Sequence, residues 1–303
     1  MELTEKRKKK DVGRLVFLYV ILSVPISNFL IFWLYVNFDS ILMAFQYNKG
    51  LEVYWGFYNF TRLWADMTSV NSTFWMSMKN TMIFFLSNLL VTLPVSLLLC
   101  YFFFKKIWGY KAYRFIFYIP SLVAASIYVV LFTYLIRTSG PLGMLVKAFG
   151  GEPKALLSSS ETALNTILFY TIMTSFGGNI ILFGGAMNHI DGSILEAAKI
   201  DGCKMWTEIF KIVIPLIWPT LSTLITFAFV GMFSASGAIM LFLEEGAEGV
   251  KASTLSYWIY AQVYYSGEYY YPATIGILLT AVGLPISLFV KNFLSNSMEA
   301  VEM

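Results

Sequence analysis

The chain has 303 residues, of which 58% are hydrophobic and 18% aromatic but only 13% charged, with a formal net charge of +3. Soluble domains are about half apolar and about a quarter charged, so this balance belongs to a chain built for a bilayer. Two scattered cysteines, Cys100 and Cys203, and a single His189 give neither a disulfide framework nor the spacing of a metal site.

The chain opens on MELTEKRKKK, part of a basic tail over residues 1–14. The apolar stretch Leu15–Val36 follows. It is too long for the core of a cleaved leader, and no small-residue cleavage site follows it, so residues 15–36 read as a retained first transmembrane helix. Residues 37–75 then form an extracytoplasmic loop.

A helix crosses the hydrocarbon core with roughly 20 apolar residues. Six stretches qualify: Leu15–Val36, Thr81–Phe104, Ala112–Ile136, Leu164–Met187, Ile214–Leu243 and Tyr271–Val290. The fifth contains Ser234-Ala235-Ser236-Gly237 and is expected to tilt or break there. Pro25, Pro94, Pro120, Pro215, Pro219 and Pro285 read as tolerated kinks. Gly177, Gly178, Gly184 and Gly185 in the fourth span suggest close helix contacts.

Lys and Arg collect on the cytoplasmic side of a membrane. With the N-terminus inside, the inner segments hold two thirds of the 21 basic residues. Those segments are the tail, the loop after the second span, a charged stretch after the fourth, and the C-terminal end at Lys291, ahead of the tail 292–303. The acidic residues divide evenly, which fits their small topological weight. Loops 37–80, 137–163 and 244–270 then face outward. The spans carry no ionisable residue near their middles, which weighs against a proton-driven or ion-driven carrier.

The charged stretch, EAAKIDGCKMWTEIFKIVIP, runs from Glu196 to Pro215 between two apolar spans. Ser193 and Glu196 have the spacing of a capping box, which predicts a short helix from about Ile194 to Ile200. Gly202 can adopt positive φ and end that helix. Trp206, Ile209, Phe210 and Val213 recur at i, i+3, i+4 and i+7, which predicts a second, amphipathic helix starting near Cys203. Pro215 and Pro219 constrain entry into the fifth span. An interfacial helix is the plainer reading. A knob of small residues shaped to fill a groove on another protein is the reading the shape favours.

The pattern EAA, three residues, G, nine residues, I-x-[LI]-P is met by Glu196-Ala197-Ala198, Gly202, Ile212, Ile214 and Pro215. This resembles the EAA loop of binding-protein-dependent ABC-transporter permeases, and EAAKIDG resembles the form found in their carbohydrate branch. Gly56-Phe57-Tyr58-Asn59-Phe60 and Lys79-Asn80-Thr81 resemble two further elements of that branch, as does YYYPATIGIL at the head of the last span. The likeness is greatest to the maltose-transporter type of sugar permease. Cys203 stands where that branch usually has Ala. Leu243-Glu244-Glu245-Gly246-Ala247 and Gly140-Pro141-Leu142-Gly143 depart from its outer-loop turns.

The resemblance implies an all-α polytopic membrane protein of six transmembrane helices with both termini cytoplasmic, in the type I ABC importer transmembrane-domain fold. Its core would span residues 76–291, with a coupling loop at 188–213. It implies a permease of the bacterial cell membrane that imports a sugar or oligosaccharide. Glu196, Ala197, Ala198, Gly202, Ile212 and Pro215 would couple it to a separate ATPase subunit. The chain has no G-x-x-x-x-G-K-[ST] phosphate loop, so ATP and Mg would sit on that subunit, with no cofactor here. The implied partners are a second, related permease, two ATPase subunits and an extracytoplasmic solute-binding protein, with no nucleic acid.

Tyr128, Asn179, Thr226 and Phe229 are candidates for the substrate pathway, with simple packing an equal reading for each. The aromatic run Tyr257–Tyr271 reads as interfacial belt before sugar contact. A secondary carrier or channel is the alternative function. A membrane enzyme would need a nucleophile or metal cluster that this sequence does not supply.

Overall fold

A computed structural model describes residues 2–50, 52–70, 72–158, 162–235, 237–244 and 252–299. The departing stretch from Glu245 and the residue Ser236 fall outside them, as do residues 300–303 of the last tail.

Helix α1 (Glu2–Asn28) continues through a wide turn, Phe29–Tyr35, into α2 (Val36–Met43). Large apolar side chains from Leu15 to Val36 are exposed on every face. A helix apolar all round is at rest only in lipid, so this is the first span. A two-stranded antiparallel hairpin follows, β1 (Gln46–Lys49) and β2 (Glu52–Trp55), with Gln46 opposite Trp55. It is the one non-helical element among the described residues. Helix α3 (Tyr58–Thr68) closes this outer loop. The buried Asn59 amide donates to the carbonyls of Gln46 at 2.6 Å and Ala44 at 3.3 Å, holding hairpin and helix together.

The second span begins at Thr73 rather than Thr81. It comprises α4 (Thr73–Ser87), a wide turn Asn88–Thr92, and α5 (Leu93–Phe104). Pro94 cannot donate to the carbonyl one turn before it, and its ring crowds that carbonyl, which accounts for the loosened turn ahead of it. Asn80 and Thr81 are buried and serve the outer loop. Asn80 donates to the Ser253 carbonyl at 2.8 Å, and the Thr81 hydroxyl accepts the Leu255 N–H at 2.9 Å.

The expected third span is two helices, α6 (Tyr110–Leu122) and α7 (Ala125–Ile136). Val123 and Ala124 are extended between them. Periodicity cannot reveal a two-residue extended step inside an apolar run. Helix α8 (Pro141–Ala148) follows, then α9 (Ala163–Asn188), which matches the expected fourth span. Of its four glycines, Gly177 is the one whose Cβ would collide, with Ser121 Oγ at 2.7 Å and the Phe117 carbonyl at 2.9 Å. It is there that α6 and α9 approach closely.

After α9 come α10 (Gly192–Ile200), α11 (Met205–Glu208), a wide turn Ile209–Val213, α12 (Ile214–Leu216) and α13 (Trp218–Val230). The chain from Met205 to Leu216 meets α13 at 80°. The fifth span is therefore bent at Ile217 instead of running straight from Ile214, because Pro219 cannot bond back to Pro215. It stops at Val230, ahead of the expected break, and turns into α14 (Gly237–Glu244). Helix α15 (Leu255–Ser266) occupies the last outer loop, and α16 (Tyr270–Glu299) runs past the expected end at Val290. Among the described residues, five helical stretches, Gly13–Met43, Thr73–Phe104, Ala125–Ala148, Ala163–Asn188 and Tyr270–Ser297, are long and apolar enough to cross a membrane, and Met205–Leu216 with Trp218–Val230, taken as one bent span, makes a sixth.

Among the described residues, three apolar clusters hold the spans. One joins α7, α9 and α14 around Phe132, Tyr170 and Phe242. One ties α3 and α4 to α15 and α16 around Phe74, Leu255 and Tyr271. The third joins α5, α9 and α13 around Cys100, Phe183 and Met187, and takes in Ile209, Val213 and Ile217. The exit of the charged hairpin is thus part of the membrane core.

Candidate functional site

Helix α10 is closed at both ends by its own sequence. Asp191 is its N-cap and accepts the Ser193 N–H at 3.0 Å. The capping box expected at Ser193 and Glu196 is therefore replaced by a cap two residues earlier, because a charged carboxylate before Gly192 is the stronger acceptor. Those bonds hold the Asp191 carboxyl below its ordinary value. At the other end Gly202 takes φ +69°. The Cys203 N–H then reaches the Ala198 carbonyl at 2.9 Å, and the Gly202 N–H reaches Lys199 at 3.1 Å. This left-handed closure satisfies carbonyls that the helix end would otherwise leave open. Nothing lies within 4 Å of a Cβ built at Gly202, so its glycine is required by conformation, not by space.

Glu196, Ala197 and Lys199 are exposed, while Ala198 faces inward at 8% exposure. Ile200, at the far end of α10, is 86% exposed. The apolar stripe expected on the second helix divides in two. Ile209 and Val213 are buried, whereas Trp206 and Phe210 stack on each other at 6.1 Å and stay exposed. Spacing alone could not distinguish these, since the wide turn Ile209–Val213 rotates the face. Ile212 and Pro215 are half-buried on either side of α12's start.

Sequence reasoning missed two residues here. Glu208 is 8% exposed, and its carboxylate meets the Lys105 ammonium at the end of α5. A signal existed: Glu208 is the acidic residue that breaks the apolar run entering the fifth span.

Within the membrane, a cavity of about 190 Å³ opens between α4, α9 and α13. Its polar lining is Ser87, Asn88, Thr92, Thr171, Ser175 and Ser234. None of the four sequence candidates for the pathway is among its lining residues. Phe229 packs edge-on against Phe85, which lines the cavity, with ring centroids 5.0 Å apart. Asn179 follows Ser175 by four residues on α9 and is half-buried. The Thr226 hydroxyl donates to the Ser222 carbonyl in its own helix at 2.8 Å. Tyr128 packs against Tyr170 at 5.9 Å, in the cluster around α7 and α14. The polar lining was visible in the sequence as Ser87, Asn88 and Thr92 interrupting an apolar span.

Comparison with known proteins places this geometry. The family model described as binding-protein-dependent transport system inner membrane component matches residues 92–299. The lactose transport system permease protein LacF of Rhizobium radiobacter is 27% identical over 279 residues, covering 87% of this chain and 90% of that one. The arabinooligosaccharides transport system permease protein AraP of Bacillus subtilis is 26% identical over 275 residues, covering 89% and 86%. A crystal structure of a bacterial ABC transporter that imports the acidic polysaccharide alginate contains a chain that superposes with a TM-score of 0.81. That pair is 25% identical and covers 96% of this chain and 99% of that one.

Proposed function

We propose, from the premise that the chain belongs to the family of binding-protein-dependent transport system inner membrane components, that it is one membrane half of an ATP-driven carbohydrate importer. The observation that carries this reading is α10, a helix capped at both ends and exposed beside the bilayer. A free helix of that kind is suited to a groove on another protein. The occupant of the other side is a separate ATPase subunit, which holds ATP and Mg; this chain needs no cofactor.

In this reading Glu196 anchors the hairpin electrostatically. Ala197 and Ala198 keep one side thin, so that the two backbones approach. Gly202 closes the helix, and Ile212 and Pro215 lead it into the 80° bend. Two ATPase subunits closing on ATP draw in two hairpins, one from this chain and one from a second, related permease. The spans then turn from inward-open to outward-open. A solute-binding protein delivers the sugar to the outer loops. The names of the relatives, for lactose, arabinooligosaccharides and alginate, support a carbohydrate as the cargo. Family membership leaves no role for the alternative of a secondary carrier or channel.

The sugar's path is proposed to pass the cavity between α4, α9 and α13. Thr171, Ser175 and Asn179 recur every four residues on α9 and make one polar stripe leading from it. Phe229 and Thr226 flank the path on α13, with Tyr128 nearer its outer end. Hydroxyl and amide groups on an apolar wall suit a sugar, which offers hydroxyls to bond and C–H faces to stack.

The test is co-purification. A complex carrying Glu196→Arg or Gly202→Arg is expected to lose the ATPase subunit and sugar uptake together. Retention of both at wild-type levels contradicts the docking role.

A further inference from the structure

Helix α10 and the chain after it are held very differently. α10 buries little besides Ala198, whereas Ile209, Val213 and Ile217 are each 1% exposed or less. These three recur every four residues and pack into the cluster of Cys100, Phe183 and Met187. The hairpin is therefore a lever with one free arm and one arm fixed in the membrane core.

At the fulcrum sits a partly buried ion pair. Lys105 is the first residue after α5, and its ammonium meets the Glu208 carboxylate. The two side chains are 35% and 11% exposed. The Lys105 Nζ also lies 5.7 Å from the centre of the Tyr101 ring. Tyr101 is itself 2% exposed. Breaking one side of such a pair leaves a charge without its partner in a poorly solvated place, which is costly. Apolar packing alone can slide, but a charge pair with a directed partner fixes one register.

We propose that Lys105 and Glu208 are positioning residues that clasp the second arm of the hairpin to α5, so that movement of α10 is transmitted to the second span. This rests on the reading that α10 docks on the ATPase subunit. The pair does not touch nucleotide or sugar. It sets how much of the stroke reaches the pathway wall formed by Asn88 and Thr92 on the same span.

The test uses the whole complex in proteoliposomes, with the binding protein and its sugar. Sugar imported and ATP hydrolysed are measured together for Lys105→Met, Glu208→Gln and the swap Lys105→Glu with Glu208→Lys. The single variants are expected to keep the ATPase subunit bound while sugar imported per ATP falls about tenfold, within the usual range of coupling energies. The swap, which restores opposite charges, is expected to recover at least half of the loss. Wild-type stoichiometry in both single variants overturns the proposal. So does a swap that assembles and hydrolyses ATP but stays as uncoupled as the singles. If the singles fail to accumulate, the swap alone decides on the same two outcomes. A Glu196→Arg complex run in parallel separates this from docking. It loses the ATPase subunit when α10 is the docking element, whatever the clasp variants do.

Discussion

The Tyr271 ring, fully buried at the head of α16, carries the Arg62 guanidinium 4.0 Å from its centroid. Arg62 also pairs with Glu268 at 2.5 Å, and the Tyr271 hydroxyl donates to Asp66 one turn along α3 from Arg62. The outer-loop helix and the last span are thereby joined by a charged, aromatic node. Tyr271→Phe keeps the ring under the cation and removes the bond to Asp66. It is expected to lower stability by about 1.5–3 kcal/mol, the cost of losing a hydrogen bond to a charged group. Tyr271→Leu also removes the cation–π contact and is expected to cost about 1 kcal/mol more. Thermal unfolding in detergent ranks the two, and equal midpoints for all three proteins contradict the node.

Gly202 tests whether conformation or room sets the requirement at the end of α10. Its φ of +69° strains any residue with a Cβ, yet the space beside it is open. Asn tolerates that conformation best among the other residues. Gly202→Asn is expected to retain most sugar uptake, while Gly202→Val, which is β-branched, loses about 1–2 kcal/mol of hairpin stability. Uptake that falls equally for both would show that the partner, not the backbone, demands glycine.

Gly177 and Gly178 are neighbours with opposite expectations. An added methyl at Gly177 meets Ser121 and the Phe117 carbonyl, whereas one at Gly178 meets nothing within 4 Å. Gly177→Ala is expected to destabilise by about 1–3 kcal/mol through overpacking. Gly178→Ala is expected to be neutral, or to gain up to about 1 kcal/mol of helix propensity. Melting temperatures of the two purified variants decide this, and a matching shift in both contradicts the close approach of α6 and α9.

Asp191 gives the hairpin a sign-defined response to pH. Its folded carboxyl is held below the ordinary value of 3.8 by the bonds it accepts from Ser193. A lowered value means the cap's contribution is fully present above 3.8 and fades as pH falls through the folded value. Asp191→Asn can cap α10 without titrating. Amide exchange at the start of α10 is therefore expected to lose protection below pH 3.8 in the wild type relative to the Asn variant. Identical profiles would remove Asp191 from the cap.

The sequence was most legible where residue spacing maps to one function. The EAA pattern marked α10, and the structure shows why: Gly202 is the left-handed closure and Ala198 the inward face. The apolar runs located the spans, because lipid contact demands length and composition. What stayed hidden were features set by tertiary partners or local backbone. The extended step at Val123–Ala124 and the break at Ile217 lie inside apolar runs whose composition does not change. The split of Trp206 and Phe210 from Ile209 and Val213 follows from a wide turn that regular periodicity does not include. The Lys105–Glu208 pair joins two segments far apart in the chain, and each charge alone reads as a solvated end.

The central claim is that α10 is the surface on which the ATPase subunit sits. A photo-reactive side chain at Ile200, 86% exposed at the end of α10, tests it directly in the intact complex. The control site is Val70, 89% exposed at the end of the outer loop. Illumination is predicted to join the chain to the ATPase subunit from position 200 and not from position 70. No adduct from position 200, or an equal yield of the same adduct from position 70, contradicts the account.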